Sequence, residues 1–492
     1  MKERKKRNVL VVGGGTAGAV MASRLSESRD LMVTLLEAGP DDAHYHESVL
    51  EPARTYEVWG GSLPTASCTM QSQWGDMPAK QGRILGGTSA LNASATLRGQ
   101  PEDYDAWKLA GLEGWGWSDV KDTFIKAETD ADFGHSLLHG SEGPLPVRRW
   151  RRDEMSRKHQ AFLDGMAELD VRFASDINDP DQLPGVGVFP ATIDENARRV
   201  TTSLAYLTPA VRERENLSIK TGALVKQVII EDGWAVGVEL ASGEALQADE
   251  VVLSAGAIYS PTLLLRSGVG PASHLAEYGI HVHADLPVGS TMSDHLGPAI
   301  YYSHDGVAGG HGSPAQVVLV GASNGSSVDY HGLPLHWAEV DGRTEFQVVT
   351  FLLRSSGQGS VRLGDSVDTE PTVVAPPMPD DTEERLSHAF RTLSAWESSA
   401  AARAIDVQRI AGPDDLTAPG AVNAALDMGI LSYFHMTSTC PMGSVLDAEC
   451  RVLGVNGLRV ADASVMPTIP GGNTYLGCVM VAERIAQKMK MA

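Results

Sequence analysis

Cysteine is scarce in this chain of 492 residues: Cys68, Cys440, Cys450 and Cys478, with no Cys-x-x-Cys pair among them. That spacing excludes a disulfide framework and a cysteine-ligated zinc site, and a reducing, cytoplasmic setting is expected. Cys440 lies near His435 but reads as a small packed side chain rather than a thiol nucleophile. Positive charge is also short. With 40 Lys and Arg against 62 Asp and Glu, the formal net charge is −22, the opposite of a nucleic-acid binder's basic footprint. No apolar run approaches the ~20 residues needed to cross a bilayer, so no transmembrane segment is expected, while docking at a membrane surface stays open. The first seven residues are basic (Lys2, Arg4, Lys5, Lys6, Arg7) and precede apolar Val9, as in a signal peptide. Gly13, Gly14, Gly15 and Gly18 interrupt that apolar stretch and favour a solvated end instead.

What is present points to a globular chain of more than one lobe: 42% hydrophobic and 21% charged residues over a length that buries a large core. Asn8-Val9-Leu10-Val11-Val12 reads as a buried parallel strand. It ends in Gly13-Gly14-Gly15-Thr16-Ala17-Gly18, and a helical pattern follows through Val20 and Leu25. Gly13 permits a tight turn, Gly15 admits a pyrophosphate to a helix N-terminus, and Gly18 allows close helix–strand packing. A second strand, Met32-Val33-Thr34-Leu35-Leu36, ends in Glu37, whose carboxylate can accept both hydroxyls of a ribose. Glu37 would repel a 2′-phosphate, so the motif favours FAD or NAD over NADP without choosing between them.

Residues 82–94, with Arg83, Gly86, Gly87, Asn92 and Ala93, are rich in small and hydroxyl side chains. They suit either close approach to a flat ligand or a tightly packed small-residue helix. Residues 217–246 read as a β-meander with turns at Asp232-Gly233 and Ser242-Gly243. Next, within 249–258, comes an apolar strand that stops at a glycine, then a helix with Pro261 in its first turn and Gly268 at its end. Near the C-terminus, Phe434-His435-Met436-Thr437 and Pro470-Gly471-Gly472-Asn473-Thr474 offer an imidazole and an amide. A neutral histidine can take an alcohol's hydroxyl proton, and the resulting imidazolium and an amide can both donate to the developing alkoxide. Phe434 suits either a narrowing of the access channel or core packing. His135, His139 and His388 read as structural, while His336, Trp337 and Glu339 suit either a pocket face or an alternating strand.

These motifs together resemble the glucose–methanol–choline (GMC) oxidoreductase family. The resemblance is carried by residues 82–99, by Gly256-Ala257-Ile258-Tyr259-Ser260-Pro261 through Gly270-Pro271, by Leu286-Pro287-Val288-Gly289 with Asp294-His295-Leu296, and by 435–443 and 462–473. It runs nearly end to end. It implies a mixed α/β fold, GMC/p-hydroxybenzoate hydroxylase-like, in which a Rossmann-like FAD-binding domain joins a substrate-binding domain built on an antiparallel sheet. The implied FAD domain is discontinuous (7–145, 196–297 and 436–492), and the substrate domain takes 146–195 and 298–435, trimmed of large lid insertions. Gly13, Gly15, Thr16, Ala17, Gly18 and Glu37 would hold the ADP half of FAD. Arg83, Gly86, Gly87, Asn92 and Ala93 would lie along the pyrophosphate and flavin, and Val225 would meet the adenine through its backbone. Asp462 and Ala463 would lie near the ribityl chain, with Asn473 and Thr474 also at the cofactor. Leu91 stands where some members carry the histidine that tethers FAD, so the cofactor is expected to be non-covalent; no metal is implied. The implied activity is oxidation of a small-molecule alcohol to an aldehyde or ketone. His435 takes the hydroxyl proton, Asn473 is its partner, and the hydride goes to flavin N5. Electrons then pass to O₂ or to a quinone or other carrier. Three alternatives remain at this stage: a dehydrogenase coupled to mycofactocin-type redox metabolism, a non-redox lyase of the same family, and a non-catalytic flavin-binding protein.

Overall fold

The structure, a computed structural model, describes residues 6–307, 309–310, 313–325, 327–354 and 358–491, without the side chains of 336 and 337. The start of the basic N-terminus and the His336–Trp337 pair of side chains therefore lie outside the described residues. Five parallel strands form one sheet in the order Leu458–Val460, Glu250–Leu253, Arg7–Val12, Leu31–Leu36, Leu217–Lys220. Their Val- and Leu-rich sequences suit a sheet covered on both faces. The helix Thr16–Leu25 packs on this sheet and against the C-terminal helix Thr474–Met491, so the two ends of the chain share one core.

Two expectations need correction here. Leu217–Lys220 is not the first strand of a meander but the edge strand of the parallel sheet, paired with Leu31–Leu36. The antiparallel meander is Val225–Glu231, Trp234–Leu240 and Ala245–Gln247. A short alternating run carries no record of which distant strand it joins. Pro261, expected in the first turn, lies inside a helix that begins earlier, at Gly256. Proline has no N–H for the carbonyl four residues back. That carbonyl, of Ala257, instead accepts the Thr439 hydroxyl at 2.7 Å. The helix does end as expected: Gly268 has φ +78°, and the Gly268 and Val269 N–H groups donate to the Leu265 and Leu264 carbonyls, a Schellman motif.

A second, eight-stranded sheet carries the path Gln408–Ala411, Ala299–Asp305, Arg343–Leu352, Tyr330–Val340, Val317–Gly321, Gly185–Val188. Leu296–Gly297 joins it by pairing with both Arg343–Leu352 and Leu431–Ser432. The neighbours along this sheet are antiparallel. The helices Arg157–Glu168 and Thr382–Glu397 bury Phe162, Phe390, Leu393 and Trp396 with it in a second core. The latter helix bears His388, whose Nδ1 lies 2.7 Å from the Tyr330 hydroxyl. No helix among the described residues is long and apolar enough to cross a membrane.

His139 sits in a buried ionic cluster. Its Nδ1 lies 2.8 Å from Glu128 and 2.9 Å from Asp130, and its Nε2 lies 2.8 Å from Asp176. Arg98 pairs with Glu128, and Arg149 with Asp130 and Asp176. Burial opposes the imidazolium, but the Asp130, Asp176 and Glu128 carboxylates outweigh it and hold its pKa up to about 10. Three cations thus balance three carboxylates. A metal ion at Glu128, Asp130 and His139, though geometrically feasible, would face the Arg98 and Arg149 guanidinium groups already bonded to Glu128 and Asp130. Because the folded pKa lies above the ordinary ~6.5, this contribution to stability is complete below that pH and is lost as pH rises through about 10. His139→Gln is accordingly expected to destabilise the fold by about 3–5 kcal/mol near neutrality, with the gap to wild type narrowing towards alkaline pH. Thermal melts across that range check it; a gap that stays constant would contradict the charged assignment.

Candidate active site

The glycine loop is built by close backbone approach. Gly13 has φ +98°, and a Cβ there would meet the Ser254 carbonyl at 2.6 Å; a Cβ on Gly18 would lie 1.8 Å from the Gly13 carbonyl oxygen. Gly15 caps the helix Thr16–Leu25 without a side-chain bond, and Thr16, Ala17 and Gly18 form its first turn. The first N–H groups of a helix lack intrahelical acceptors and favour an anion. Glu37 is buried, and its two oxygens accept the Gly14 and Gly39 N–H groups, each at 2.8 Å. Each oxygen keeps a further lone pair for a hydroxyl donor. Burial raises the Glu37 pKa, while these bonds and the Arg83 charge work against that rise. Arg83 itself is exposed.

The segment 82–94 comes to this same loop. Gly86 donates to the Gly14 carbonyl at 2.8 Å, and a Cβ on Gly87 would strike Gly15 Cα at 2.6 Å. Gly87–Ala90 is a single 3-10 turn rather than a longer helix, and it packs its backbone against the glycine loop. Asn92 Oδ1 accepts from Ser94 N and from Arg199 Nη1, both at 2.9 Å. Arg199 is fully buried behind it, and burial lowers its pKa to about 10. Ala93 is half-buried beside Asn92, and Leu91 is buried. Ala223 N donates to the Glu37 carbonyl two residues before Val225, which opens the strand Val225–Glu231. Asp462 is fully buried. Its carboxylate accepts Gly256 N at 2.8 Å, Ser464 N at 2.9 Å and the Ser260 and Ser464 hydroxyls at 2.5 Å. It thereby ties the turn Ala463–Val465 to the start of the helix Gly256–Arg266.

His435 and Asn473 meet. Asn473, directly before the helix starting at Thr474, places Nδ2 3.2 Å from His435 Nε2, and both residues are buried. Among the described residues the buried Asn473 Oδ1 has no hydrogen-bond partner, so the amide retains capacity for a ligand. Burial, reinforced by neighbouring His295 and His331, drives the His435 pKa well below 6.5, so the ring is neutral at pH 7. That is the state required of a base. Behind it the Tyr433 ring stacks at 4.0 Å and Phe351 stacks on Tyr433 at 4.2 Å. Phe434 has φ +59° and is 42% exposed, so it does not pack in the core. A non-glycine residue there costs about 1–2 kcal/mol. The Ser432 hydroxyl takes the Phe434 N–H at 2.8 Å, and Asp294 Oδ1 takes the His435 N–H at 2.8 Å. Cys440 is buried, with its thiol pKa pushed well up, as expected of an inert residue.

Sequence reasoning quoted Asp294-His295-Leu296 only as a loop and assigned it no role. In the structure Asp294 Oδ1 also accepts His295 N at 2.8 Å, and His295 Nδ1 lies 2.9 Å from His435 Nδ1. Tyr433, His331 and Arg199 were likewise missed. A surface recess of about 360 Å³ beneath Trp150, Leu163, Phe173 and Val186 is lined by none of the site residues.

A glycine loop at the end of a parallel strand, a ribose-type acid after the next strand, and a neutral histidine beside an amide define a dinucleotide-dependent oxidoreductase. Two models described as GMC oxidoreductase match residues 8–297 and 355–482. The chain is 32% identical to 5-(hydroxymethyl)furfural oxidase of Methylovorus sp., with 97% of each chain covered. It is 31% identical to oxygen-dependent choline dehydrogenase of Brucella anthropi, over 96% of this chain and 94% of the relative. Among solved structures, pyridoxine 4-oxidase from Mesorbium loti superposes with a TM-score of 0.89 at 26% identity, covering 99% of this chain and all of that one. An FAD-dependent oxidoreductase from Chaetomium thermophilum shares the fold (TM-score 0.85, 22% identity, 99% of each chain). The chain belongs to the GMC oxidoreductase family, and FAD is its cofactor.

Proposed function

We propose that this protein oxidises a small-molecule alcohol to an aldehyde or ketone, with His435 as the base. The observation that carries the reading is a buried, neutral imidazole whose Nε2 lies 3.2 Å from the Asn473 amide. The helix N-terminus at Gly15, Glu37, and the Gly86–Gly87 and Asn92 segment fit the dinucleotide, and the Asp462–Ala463 turn would lie near the ribityl chain. FAD, when bound, accepts the substrate's hydride. His435 Nε2 receives the hydroxyl proton. The imidazolium and an Asn473 amide hydrogen then donate to the substrate oxygen as its charge develops, in a site where burial strengthens both interactions. The aromatic stack of Tyr433 and Phe351 fixes the ring plane and keeps water from its far face.

Relatives act on 5-(hydroxymethyl)furfural and choline by name, and a structural neighbour on pyridoxine. Anaerobic mixing of the FAD-loaded protein with these three and an aryl alcohol tests the reading. At least one is expected to bleach the oxidised-flavin absorbance; an intact spectrum with all four would count against it. Readmitting air then separates transfer to O₂ from transfer to a carrier. We further infer that FAD is held non-covalently, because Leu91 offers no nucleophile. Acid precipitation is expected to release all the flavin to the supernatant; colour retained in the pellet would show a covalent bond.

A further inference from the structure

We propose that His295 is a positioning residue that selects the reactive tautomer of His435, accepting its Nδ1–H so that the Nε2 lone pair faces Asn473 and the substrate. This rests on the reading of His435 as the base and deepens it. The two Nδ1 atoms lie 2.9 Å apart, and the rings meet edge to face at 82°. Two neutral imidazoles at that distance hold one hydrogen between them, so just one ring carries Nδ1–H and the two arrangements are not equivalent. If His295 carried it, His435 would be protonated at Nε2 and would have no lone pair for the substrate's proton.

The surroundings choose between these arrangements from both ends. The His295 ring lies against the carbonyls of Leu353 and Pro470, which favour its protonated form, although its Nε2 reaches neither with full hydrogen-bond geometry. A carbonyl can only accept, so these neighbours favour N–H at the His295 Nε2 edge and leave Nδ1 as the acceptor. At the other end, the Asn473 amide nitrogen is a donor, so the His435 Nε2 it meets at 3.2 Å must accept. Both constraints give His435 Nδ1–H and an unprotonated Nε2, whose lone pair accepts the Asn473 amide hydrogen until a substrate hydroxyl takes that place.

The pairing is fixed by backbone. Asp294 Oδ1 holds the N–H groups of both His295 and His435, and its Oδ2 takes the Ser432 hydroxyl at 2.5 Å. One carboxylate thus sets the spacing of the two rings. The titratable groups facing His435 are His295, His331 and Tyr433, with Asp294, whose pKa burial raises to about 7, bonded to its backbone N–H. Burial drives His295 and His331 down to about 3, so neither brings a positive charge to the site at neutral pH. During turnover the hydroxyl proton moves to His435 Nε2. The Nδ1–H stays on His435 and its bond to His295 strengthens as the ring becomes positive; no proton passes to His295.

The direct test is ¹⁵N NMR of histidine-labelled, FAD-loaded protein, with the His435 signals identified by their loss in His435→Gln. The expected pattern is a protonated Nδ1 and an unprotonated Nε2 on His435; a neutral ring protonated at Nε2 overturns the proposal. This readout needs neither a substrate nor a His295 variant, so it stands apart from alcohol oxidation. If no alcohol reduces the flavin yet the NMR pattern holds, the tautomer assignment survives while the functional reading fails. In a second arm, His295→Leu removes the acceptor and His295→Asn supplies an amide oxygen where Nδ1 stood. With an alcohol that reduces the wild-type flavin, His295→Leu is expected to slow anaerobic reduction about 10²-fold with little change in KM, and His295→Asn less than about tenfold. Equal losses in both would mean that His295 only fills space.

Discussion

His435→Ala is expected to give a yellow protein with its full complement of FAD, whose flavin alcohols reduce about 10²–10⁴ times more slowly than in wild type. The two halves of that outcome come from separate parts of the fold. The elements that fit the dinucleotide are the loop at Gly13–Gly18, Glu37 and the Gly86–Gly87 turn, and His435 forms no bond with any of them. Its contacts are His295, Asn473, Asp294 and the Tyr433 ring. Removing the imidazole opens a small space beside Tyr433 but leaves the Asp294 bond to the residue 435 backbone N–H in place. Absorbance shows whether FAD remains, and anaerobic stopped flow reads the rate. Loss of FAD would make His435 structural, and an unchanged rate would remove it as the base.

Gly18→Val is expected to act at the other end of the site and to weaken FAD binding at least a hundredfold. A Cβ at Gly18 would sit 1.8 Å from the Gly13 carbonyl oxygen and 2.9 Å from its carbon. Both are backbone atoms, so no side chain can swing aside. The helix Thr16–Leu25 would have to lift off the strand Arg7–Val12, carrying its N-terminus away from the loop. Overpacking of about 3 kcal/mol or more corresponds to at least a hundredfold loss in FAD affinity. Gly60→Val is the matched control: nothing lies within 4 Å of a Cβ there. Flavin content after purification and titration with FAD distinguish the two, and a fully loaded Gly18→Val protein would refute the close-packing argument.

Much of this was legible in the chain because the motifs are local. The strand–glycine–helix–strand–acid order around Glu37 is contiguous, and its physical demands map onto one residue each. The end of the helix Gly256–Arg266 was legible from Gly268 for the same reason; its start was misplaced because Pro261 ordinarily marks a first turn. Here a threonine far along the chain satisfies the freed Ala257 carbonyl, which no local pattern records. Leu217–Lys220 was misassigned on similar grounds: its alternation fits a hairpin, and only the Leu31–Leu36 edge decides otherwise. The His295–His435 contact joins residues 140 apart. The sequence offered Asp294-His295-Leu296 as a loop, and nothing in its composition shows that one aspartate holds two histidine backbones in register. Phe434 is a further case: its sequence context fits channel or core alike, and only its left-handed backbone and exposure exclude the core.

The central claim is that a buried, neutral His435 takes the proton as an alcohol is oxidised. Single-turnover anaerobic reduction of the FAD-loaded protein by an alcohol, followed across pH, tests it most directly. Because His435 titrates well below its ordinary value, the reduction rate is expected to hold level as pH falls from about 8 past about 6.5, with one aldehyde or ketone formed per flavin bleached. A flavin that no alcohol bleaches, or a rate that collapses at about pH 6.5 as for an unperturbed histidine, would contradict the account.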